Sequence, residues 1–303
     1  MLGFVGLGYM GGRIASRLMD AGYPLGIYNR TRDKTRALAE RGARVYDSPR
    51  EMAADADTVF SMLADDAAVE QVMLGPDGIV AAARSGSTII DLSSVHPDTS
   101  RRLASVARLR NVVVLDASVS GSTPQAADGS LVVFVGGERA AYEQARPLLD
   151  IIGNHIFYLG PSGAGATMKL VANSLLGAGM QALAEALVLG QRAGLDRTTL
   201  LDVLEQTAVV TPGQKHKLQN VRSGEYPVEF PLRLMYKDLL NVERLAGQRA
   251  VPTPAIAAAQ QMFAVEQAKG REEDFSALIR TMEELAGVSA PPATSRNGGV
   301  GVA

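Results

Sequence analysis

One lysine in this chain is a candidate for catalysis. Lys169 follows a glycine-rich segment at 160–165, and Asn173 lies four residues further on, so a helix would place both side chains on one face. A lysine in such an apolar, alanine-rich stretch is either a surface residue with its stem along the protein or a buried cation. In a cleft near a helix N-terminus, desolvation and the helix dipole would lower the pKa of its ammonium. A buried lysine would therefore suit general acid or base catalysis, and an ordinary exposed helix lysine is the alternative.

Two further polar stretches are suited to contact a small substrate. Residues 116–123 read Asp-Ala-Ser-Val-Ser-Gly-Ser-Thr after an apolar strand. Hydroxyls and free N–H groups in such a turn bind carboxylates, and an ordinary polar loop is the alternative. The candidates in this stretch are Ser120, Gly121 and Ser122. Further on, Lys237 and Asp238 either form a surface ion pair of little energetic value or present a second cation to the site.

The first residues have the pattern of a dinucleotide-binding turn. A short apolar strand runs into a G-x-G-x-x-G motif, Gly6-Leu7-Gly8-Tyr9-Met10-Gly11, and a helical spacing of apolar residues follows. In such a motif the first glycine permits the tight turn, the second lets the backbone approach the pyrophosphate, and the third allows close helix–strand packing. The pyrophosphate then lies at the helix N-terminus. A structural glycine turn in another kind of α/β domain is the alternative.

The residues after the second predicted strand indicate which dinucleotide binds. NAD-binding chains carry Asp or Glu at about this distance for the ribose 2′-hydroxyl. This chain has Asn29, Arg30 and Thr31 there, with Arg32 next. A guanidinium suits a 2′-phosphate, which an aspartate would repel. The sequence therefore predicts NADP(H) as the cofactor and disfavours NAD.

The first half of the chain alternates strands with helices. Strands are expected near 2–5, 24–28, 59–63, 87–92, 112–115 and 131–135. This alternation predicts an α/β Rossmann-type domain, with a doubly wound, mostly parallel sheet. Ligands of such sheets bind at the carboxyl ends of the strands, where Met62, Leu63 and Ser94 lie.

The pattern changes after residue 160. Apolar residues recur at helical spacing from about 164 to 193, which predicts a long helix. More helices are expected near 197–208, 231–248, 254–269 and 272–287. We therefore predict a Rossmann-type NADP-binding domain at 1–161 and an all-α substrate and oligomerisation domain at 162–288. Residues 289–303 have linker composition and predict a flexible tail.

Composition argues against several classes of protein. The 303 residues are enough for two cores, and a net charge of −2 provides no attraction to nucleic acid or to anionic membranes. The chain has no cysteine, and its three histidines lack metal-ligand spacing, so neither disulfides nor a metal site are expected. The N-terminus lacks the pattern of a signal peptide, and no run of eighteen apolar residues occurs. These features predict a cytoplasmic enzyme.

The motifs occur together, in this order, in one family. The chain resembles the β-hydroxyacid dehydrogenases, the group that contains 3-hydroxyisobutyrate dehydrogenase, tartronate semialdehyde reductase and glyoxylate/succinic semialdehyde reductase. The likeness runs from Gly3 to about Gly287. It is carried by the glycine turn at 6–11 and by the stretches 91–94, 116–121, 163–173 and 237–239.

The resemblance implies hydride transfer from NADPH to a small carboxylate-bearing aldehyde or oxo acid, with Lys169 as the catalytic acid or base. It places Ser94 near the nicotinamide ribose and Lys237 near both cofactor and substrate. The residues that it implies in binding the substrate are Ser120, Gly121 and Asn173. It also implies a homodimer or homotetramer, and the small residues at 177 and 179 would suit packing against a second subunit.

Three residues depart from the family pattern. Ser118 stands where the family usually has proline, Ser122 where it often has glycine, and Ser174 where it often has asparagine. These serines are expected to enlarge or polarise the carboxylate pocket. The substrate therefore stays open among glyoxylate, succinic semialdehyde, tartronate semialdehyde and methylmalonate semialdehyde.

Other functions on the same scaffold are disfavoured. Imine reductases generally lack the lysine, although promiscuous imine reduction is compatible with the sequence. Non-catalytic NADP-binding scaffold proteins tend to lose the lysine and to gain basic extensions, and this chain shows neither change. A 6-phosphogluconate dehydrogenase would need a longer helical domain.

Overall fold

The computed structural model describes residues 1–288, and the predicted flexible tail at 289–303 lies outside them. The chain divides into two compact units, of which the first ends at Ala172 and the second begins at Asn173. The first unit contains a single eight-stranded sheet, and the second is built from helices.

The strands are β1 (Leu2–Val5), β2 (Leu25–Tyr28), β3 (Arg44–Val45), β4 (Thr58–Ser61), β5 (Thr88–Asp91), β6 (Val113–Ser120), β7 (Leu131–Gly136) and β8 (Gly153–Gly160). The α-helices are α1 (Gly11–Asp20), α2 (Arg36–Ala39), α3 (Pro49–Asp55), α4 (Asp66–Leu74), α5 (Ile79–Ala82), α6 (Pro97–Arg108), α7 (Thr123–Asp128), α8 (Arg139–Ile152), α9 (Ala164–Arg192), α10 (Arg197–Gln206), α11 (Pro212–Ser223), α12 (Leu232–Arg249), α13 (Pro254–Ala268) and α14 (Leu278–Ala286). Short 3₁₀ turns lie at Arg32–Thr35 and Phe275–Ala277.

The sheet has the strand order β3-β2-β1-β4-β5-β6-β7-β8. All neighbouring strands are parallel except β6 and β7, which are antiparallel. The first six strands follow the order of dinucleotide-binding folds, in which the order reverses beside β1. The predicted Rossmann-type, mostly parallel sheet is confirmed.

Successive strand residues point to opposite faces, so each strand feeds two cores. Phe4 and Phe60, partners in the β1–β4 register, stack with ring centroids 6.1 Å apart in the core that also receives Ile14 and Leu18 of α1. Their neighbours Val5 and Val59 face the other core, which is covered by residues of α3 to α6. A sheet buried on both faces requires strands of nearly continuous apolar residues, as these are.

Strand β6 is longer than its parallel neighbour. It pairs with β5 as far as Asp116, opposite Asp91, and then continues to Ser120 along antiparallel β7. The extra residues carry the chain beyond the end of β5 and bring Ser120 past the carboxyl edge of the parallel strands.

The second unit has its own core. Met180, Leu183 and Leu187 of α9 contribute to it, together with apolar residues from α10 to α14. A Cβ at Gly177 would lie 2.9 Å from a methyl group of Leu239, so glycine permits α12 to approach α9. The carbonyl of Gly179 accepts a hydrogen bond from Gln214 Nε2 at 2.7 Å. These two glycines therefore make contacts within the unit, and their packing against a second subunit stays a prediction.

Helix α9 is long and apolar enough to cross a membrane, when judged by length and composition alone. The most hydropathic eighteen-residue window has a mean hydropathy of 1.2, and 44% of that window is buried inside the protein. The core contacts of its second half are those of a central helix in a globular unit, and we interpret α9 in that way.

Three elements were missed by the sequence patterns. Strand β3 has only two residues, and β8 is an edge strand with half of its residues exposed. Helix α11 has few apolar residues and buries Lys217. The signal that would have found it is the capping box, in which Thr211 accepts from the N–H of Gln214.

Candidate active site

Five parallel strands, β1, β2, β4, β5 and β6, end at one edge of the sheet. Ligands of open α/β sheets bind along this edge. The predicted site residues of the first unit that end or follow these strands are Gly6 to Gly11, Asn29 to Thr31, Met62, Leu63, Ser94, and Ser120 to Ser122.

The three glycines of the first turn differ in what a side chain would meet. Gly6 has a φ of +92°, and a Cβ there would lie 2.2 Å from the carbonyl oxygen of Met62. A Cβ at Gly11 would lie 1.9 Å from the carbonyl oxygen of Gly6. Gly8 is exposed, and a Cβ there would meet no protein atom within 4 Å. The fold therefore needs Gly6 and Gly11 but not Gly8, whose backbone is open to the approach of a ligand.

Helix α1 begins without a side-chain cap at Met10 and without an acidic residue in its first turn. Tyr9, just before it, is exposed, and its carbonyl oxygen accepts a hydrogen bond from the Arg13 guanidinium. An uncapped helix start next to an open glycine and a cation is a favourable site for an anion. These residues fit the pyrophosphate of a dinucleotide.

The side chain of Asn29 joins the glycine turn to the end of β2. Its Oδ1 accepts from the N–H of Leu7 at 2.8 Å, and its Nδ2 donates to the carbonyl oxygen of Thr31 at 2.8 Å. Arg30 is exposed, and among residues 1–288 it makes no hydrogen bond or ion pair. Arg32, by contrast, pairs with Asp47. The guanidinium of Arg30 is thus the cation available at this position.

Asp91 organises the ends of β4 and β5. Its Oδ1 accepts hydrogen bonds from the hydroxyls of Ser61 and Ser93, at 2.7 and 2.6 Å. The Oγ of Ser93 in turn accepts from the N–H of Leu63 at 2.9 Å. Burial raises the pKa of Asp91, against the effect of these hydrogen bonds. The network fixes the backbone at Leu63. Ser94, the residue directly after Ser93, is half-buried.

Ser118 does not polarise a pocket. It is fully buried, and its hydroxyl donates to the carbonyl oxygen of Ser93 at 2.9 Å. The serine that replaces the usual proline therefore joins β6 to the end of β5. This corrects the expectation from the sequence, which could not distinguish a hydroxyl turned into the sheet from one turned toward a ligand.

The end of β6 leads into a sharp turn. Ser120 is half-buried, and Gly121 has a φ of +132°, a conformation that favours glycine. The N–H and the hydroxyl of Ser122 both donate to Gln125 Oε1, at 2.9 and 3.0 Å. Ser122 is therefore engaged in starting α7, which leaves Ser120 and Gly121 as the better candidates to hold a carboxylate.

Asp116 binds the start of the long helix. One oxygen of its carboxylate accepts from the N–H of Gly163 at 2.8 Å, and the other accepts from the N–H of Ala166 at 3.0 Å. Burial raises the pKa of Asp116 to about 6, although the two N–H groups act in the opposite direction. Asp91 on the neighbouring strand raises it further.

Lys169 lies on α9 as the sixth residue of that helix and is only 9% exposed. Of the two interpretations of this lysine, the buried cation therefore agrees with the structure. Lysine is rarely buried without a role for its charge.

In the second unit, a buried carboxylate connects two predicted site residues. Asn173, 2% exposed, donates from Nδ2 to Asp238 Oδ2 at 2.6 Å. Lys237 Nζ lies 2.8 Å from Asp238 Oδ1, and Asp238 is only 1% exposed. The pair formed by Lys237 and Asp238 is therefore not a surface ion pair.

Sequence reasoning gave no role to the buried carboxylates Asp91 and Asp116, and gave Asp238 only an ion pair with Lys237. The motifs contain all three, but each of them has a hydrogen-bond partner 30 or more residues away in the chain. An acidic residue at the end of an apolar strand was the available signal for Asp91 and Asp116.

Two family models match the chain. Residues 1–160 match the NAD binding domain of 6-phosphogluconate dehydrogenase. Residues 163–282 match the model described as NAD-binding of NADP-dependent 3-hydroxyisobutyrate dehydrogenase. The chain belongs to the β-hydroxyacid dehydrogenase family. The activity of this family is that of an NAD(P)-dependent hydroxyacid dehydrogenase.

Curated relatives of this β-hydroxyacid dehydrogenase family member match over most of its length. Glyoxylate/succinic semialdehyde reductase 2 of Arabidopsis thaliana is 37% identical over 93% of this chain and 79% of its own. The 2-(hydroxymethyl)glutarate dehydrogenase of Eubacterium barkeri is 35% identical over 95% of this chain and 96% of its own. The cytokine-like nuclear factor N-PAC of Homo sapiens is 34% identical over 92% of this chain but only 51% of its own.

Solved structures agree with the fold of this family member. The 3-hydroxyisobutyrate dehydrogenase of Salmonella typhimurium superposes with a TM-score of 0.85 at 29% identity, covering 92% of this chain and 99% of that one. Psf3 in complex with NADP+ and 2-OPP superposes with a TM-score of 0.84 at 27% identity, covering 93% of this chain and 100% of that one.

Proposed function

We propose that this protein is an NADP(H)-dependent oxidoreductase that interconverts a small β-hydroxyacid and its semialdehyde or oxo acid, with Lys169 as general acid and base. The observation that carries the proposal is the burial of Lys169 on a helix whose first turn is bonded to strand β6. A cation kept in a low-dielectric environment is suited to a proton transfer and to stabilising an alkoxide.

The residues of this chain would divide the work as follows. NADPH, when bound, supplies the hydride. Lys169 gives a proton to the carbonyl oxygen of the substrate during reduction and accepts it from the hydroxyl in the reverse direction. Ser120 and Gly121 hold the carboxylate, and Asn173 orients the substrate, which together fix the carbonyl against the cofactor.

The preference for NADP(H) over NAD(H) belongs to the same proposal. It is supported by the free guanidinium of Arg30 and by the use of Asn29 to bond the glycine turn. The preference also agrees with the structural neighbour Psf3, which was solved in complex with NADP+. The proposed setting is a cytoplasmic homo-oligomer.

The test is oxidation of NADPH with glyoxylate, succinic semialdehyde, tartronate semialdehyde, methylmalonate semialdehyde and a cyclic imine. We expect turnover of at least one of the acids. Lys169→Ala should lose about 100-fold or more in kcat, the usual range for a general acid, while its Kd for NADPH stays near that of the wild type. Added methylamine should restore part of the lost turnover, because a free ammonium can replace the missing proton donor.

Lys215→Ala is the matched control, since this lysine lies on α11 and the proposed site does not include it. It should retain wild-type turnover. If Lys169→Ala retains more than a few per cent of wild-type turnover, Lys169 is not the general acid. Turnover of the imine alone would favour an imine reductase, and turnover of no compound would favour the scaffold protein.

A further inference from the structure

The first turn of α9 has a cap that comes from a distant strand. The residue before the helix, Gly163, has no side chain to accept the free N–H groups of a helix start. The carboxylate of Asp116 replaces it, with one oxygen on the N–H of Gly163 and the other on the N–H of Ala166. These partners are 47 and 50 residues away in the chain. The bond is therefore a tertiary contact between β6 and α9.

Two glycines make this contact direct. A Cβ at Gly136 of β7 would lie 2.8 Å from both carboxylate oxygens of Asp116. A Cβ at Gly165 would lie 2.2 Å from the carbonyl oxygen of Phe134 and 2.5 Å from that of Asp116. The backbone of the helix start thus lies directly on the backbones of β6 and β7. No layer of side chains lies between the helix start and these strands, so no side chain there could adjust if the cap were lost.

Lys169 is three residues after Ala166, one turn further along the same side of α9. We propose that Asp116 is a positioning residue for Lys169: its ionised carboxylate holds the start of α9 on β6, and turnover depends on that ionisation. This inference rests on the proposed role of Lys169. Asp116 is buried and both of its oxygens are bonded to the helix, so its effect on turnover passes through α9.

The charged groups around Asp116 are few. Asp91 faces it from β5, and β7 contributes only apolar residues and glycine. Lys169 lies on α9 itself. From the side of α6, Arg101 approaches Gly163 and pairs with Asp98, which also lies 3.4 Å from the ring of His96. Burial and Asp91 raise the pKa of Asp116 to about 6, so the carboxylate changes charge close to neutral pH.

Hydrogen exchange of the protein without cofactor tests the contact independently of activity. We expect peptides that cover 160–170 to be protected at pH 7.5 and to lose protection as the pH falls through about 6, after correction for intrinsic exchange. Asp116→Asn should show low protection at both pH values. Asp91→Asn should keep the protection at pH 7.5, because it does not bond the helix.

Kinetics test the consequence for turnover. We expect Asp116→Asn to lose about tenfold or more in kcat, because a small displacement of a catalytic group is costly, with KM for NADPH unchanged. The fall of wild-type kcat below about pH 6 should be absent from its pH profile. Asp196→Asn is the matched control, because Asp196 caps α10, a helix without Lys169. It should leave kcat and its pH profile unchanged.

The outcomes separate this inference from the proposed function. A wild-type protein that reduces none of the acids would contradict the function, while hydrogen exchange would still report on the contact. If Asp116→Asn has the kcat and pH profile of the wild type while Lys169→Ala is inactive, the inference about Asp116 is wrong and the proposed function stands. If Asp116→Asn does not fold, the wild-type exchange profile decides: protection of 160–170 that persists to pH 5 would overturn it.

Discussion

The amide oxygen of Asn29 accepts a hydrogen bond from the backbone N–H of Leu7 at 2.8 Å. The bond closes the loop between the glycine turn and the end of β2, the two places that a dinucleotide contacts in this fold. An amide used in this way is a structural connection, and it carries no charge to repel a phosphate. In the proposed function, recognition of the adenosine ribose then falls to the next residue, Arg30.

We expect Arg30→Ala to raise the Kd for NADPH by about tenfold or more, and the Kd for NADH by less than about threefold. A guanidinium bonded to a phosphate contributes through charge-assisted hydrogen bonds that NADH cannot make. Arg32→Ala is the matched variant, because Arg32 already pairs with Asp47 and should contribute less. Titration of cofactor fluorescence measures the Kd for NADPH and for NADH in the wild type and in both variants. Equal losses for the two cofactors would show that Arg30 does not read the 2′-phosphate.

The glycines of the first turn separate binding from folding. Gly8→Ala should change the free energy of unfolding by less than about 1 kcal/mol, because its Cβ would meet no protein atom. It should nevertheless raise the Kd for NADPH at least tenfold, since the methyl group would occupy the approach of the pyrophosphate. Gly11→Ala should destabilise the protein by about 3 kcal/mol or more, because its Cβ would overlap the carbonyl of Gly6.

Urea unfolding and cofactor titration of both variants distinguish these effects. An unchanged affinity in Gly8→Ala would mean that the cofactor does not approach this glycine. A loss of stability in Gly8→Ala as large as that in Gly11→Ala would contradict the structural distinction between them.

The parts of the fold that the sequence predicted have strong local signals. Strand β1 and helix α1 share a glycine motif, and α9 has apolar residues at helical spacing over its whole length. Strand β8 and helix α11 have weaker patterns, because an edge strand exposes half of its residues and α11 buries a lysine paired with Glu229 and Asp274. Their formation depends on tertiary contacts that no short window of sequence contains.

The same distinction holds within the site. Lys169 could be proposed from its own neighbourhood, because a lysine in an apolar helix is unusual. The role of Asp116 could not, because it depends on Gly163 and Ala166, far along the chain. Ser118 shows the converse error: a serine in a polar motif suggested a substrate contact, but its hydroxyl bonds the carbonyl of Ser93. Direction of a side chain is set by strand register, which local sequence specifies poorly.

Asn173 and Asp238 should behave as a coupled pair. Loss of the carboxylate in Asp238→Ala releases the amide of Asn173, so the two substitutions remove the same arrangement. We expect each single variant to lower kcat/KM for the acid, and the double variant to lose little more than Asn173→Ala alone. The coupling should be about 1 kcal/mol or more, as for residues in one buried network.

Asn220→Ala provides the comparison for this cycle, because its amide bonds Ser276 instead. Its effect should add to that of Asp238→Ala. Additive effects of Asn173→Ala and Asp238→Ala in steady-state kinetics would show that the 2.6 Å bond does not hold the amide that we propose to orient the substrate.

Asp116 should also make the stability of the protein depend on pH. Its carboxyl has a pKa raised from 3.8 to about 6 in the folded state, so the folded protein holds the proton more tightly than the unfolded chain. Burial raises this pKa more than the two N–H bonds lower it, so protonation weakens the bonds to the start of α9 but removes the larger cost of burying a charge. The net contribution of this group therefore favours folding increasingly as the pH falls from about 6 toward 4. Between pH 7 and pH 5 the gain in the free energy of unfolding should be about 1 kcal/mol for the wild type and absent in Asp116→Asn.

Urea unfolding of both proteins at the two pH values measures this gain. The measured quantity is the free energy of unfolding of the wild type minus that of Asp116→Asn, a difference in which the contributions of the other carboxyl groups cancel. A difference that stays constant between pH 7 and pH 5 would show that the pKa of Asp116 is not raised by burial.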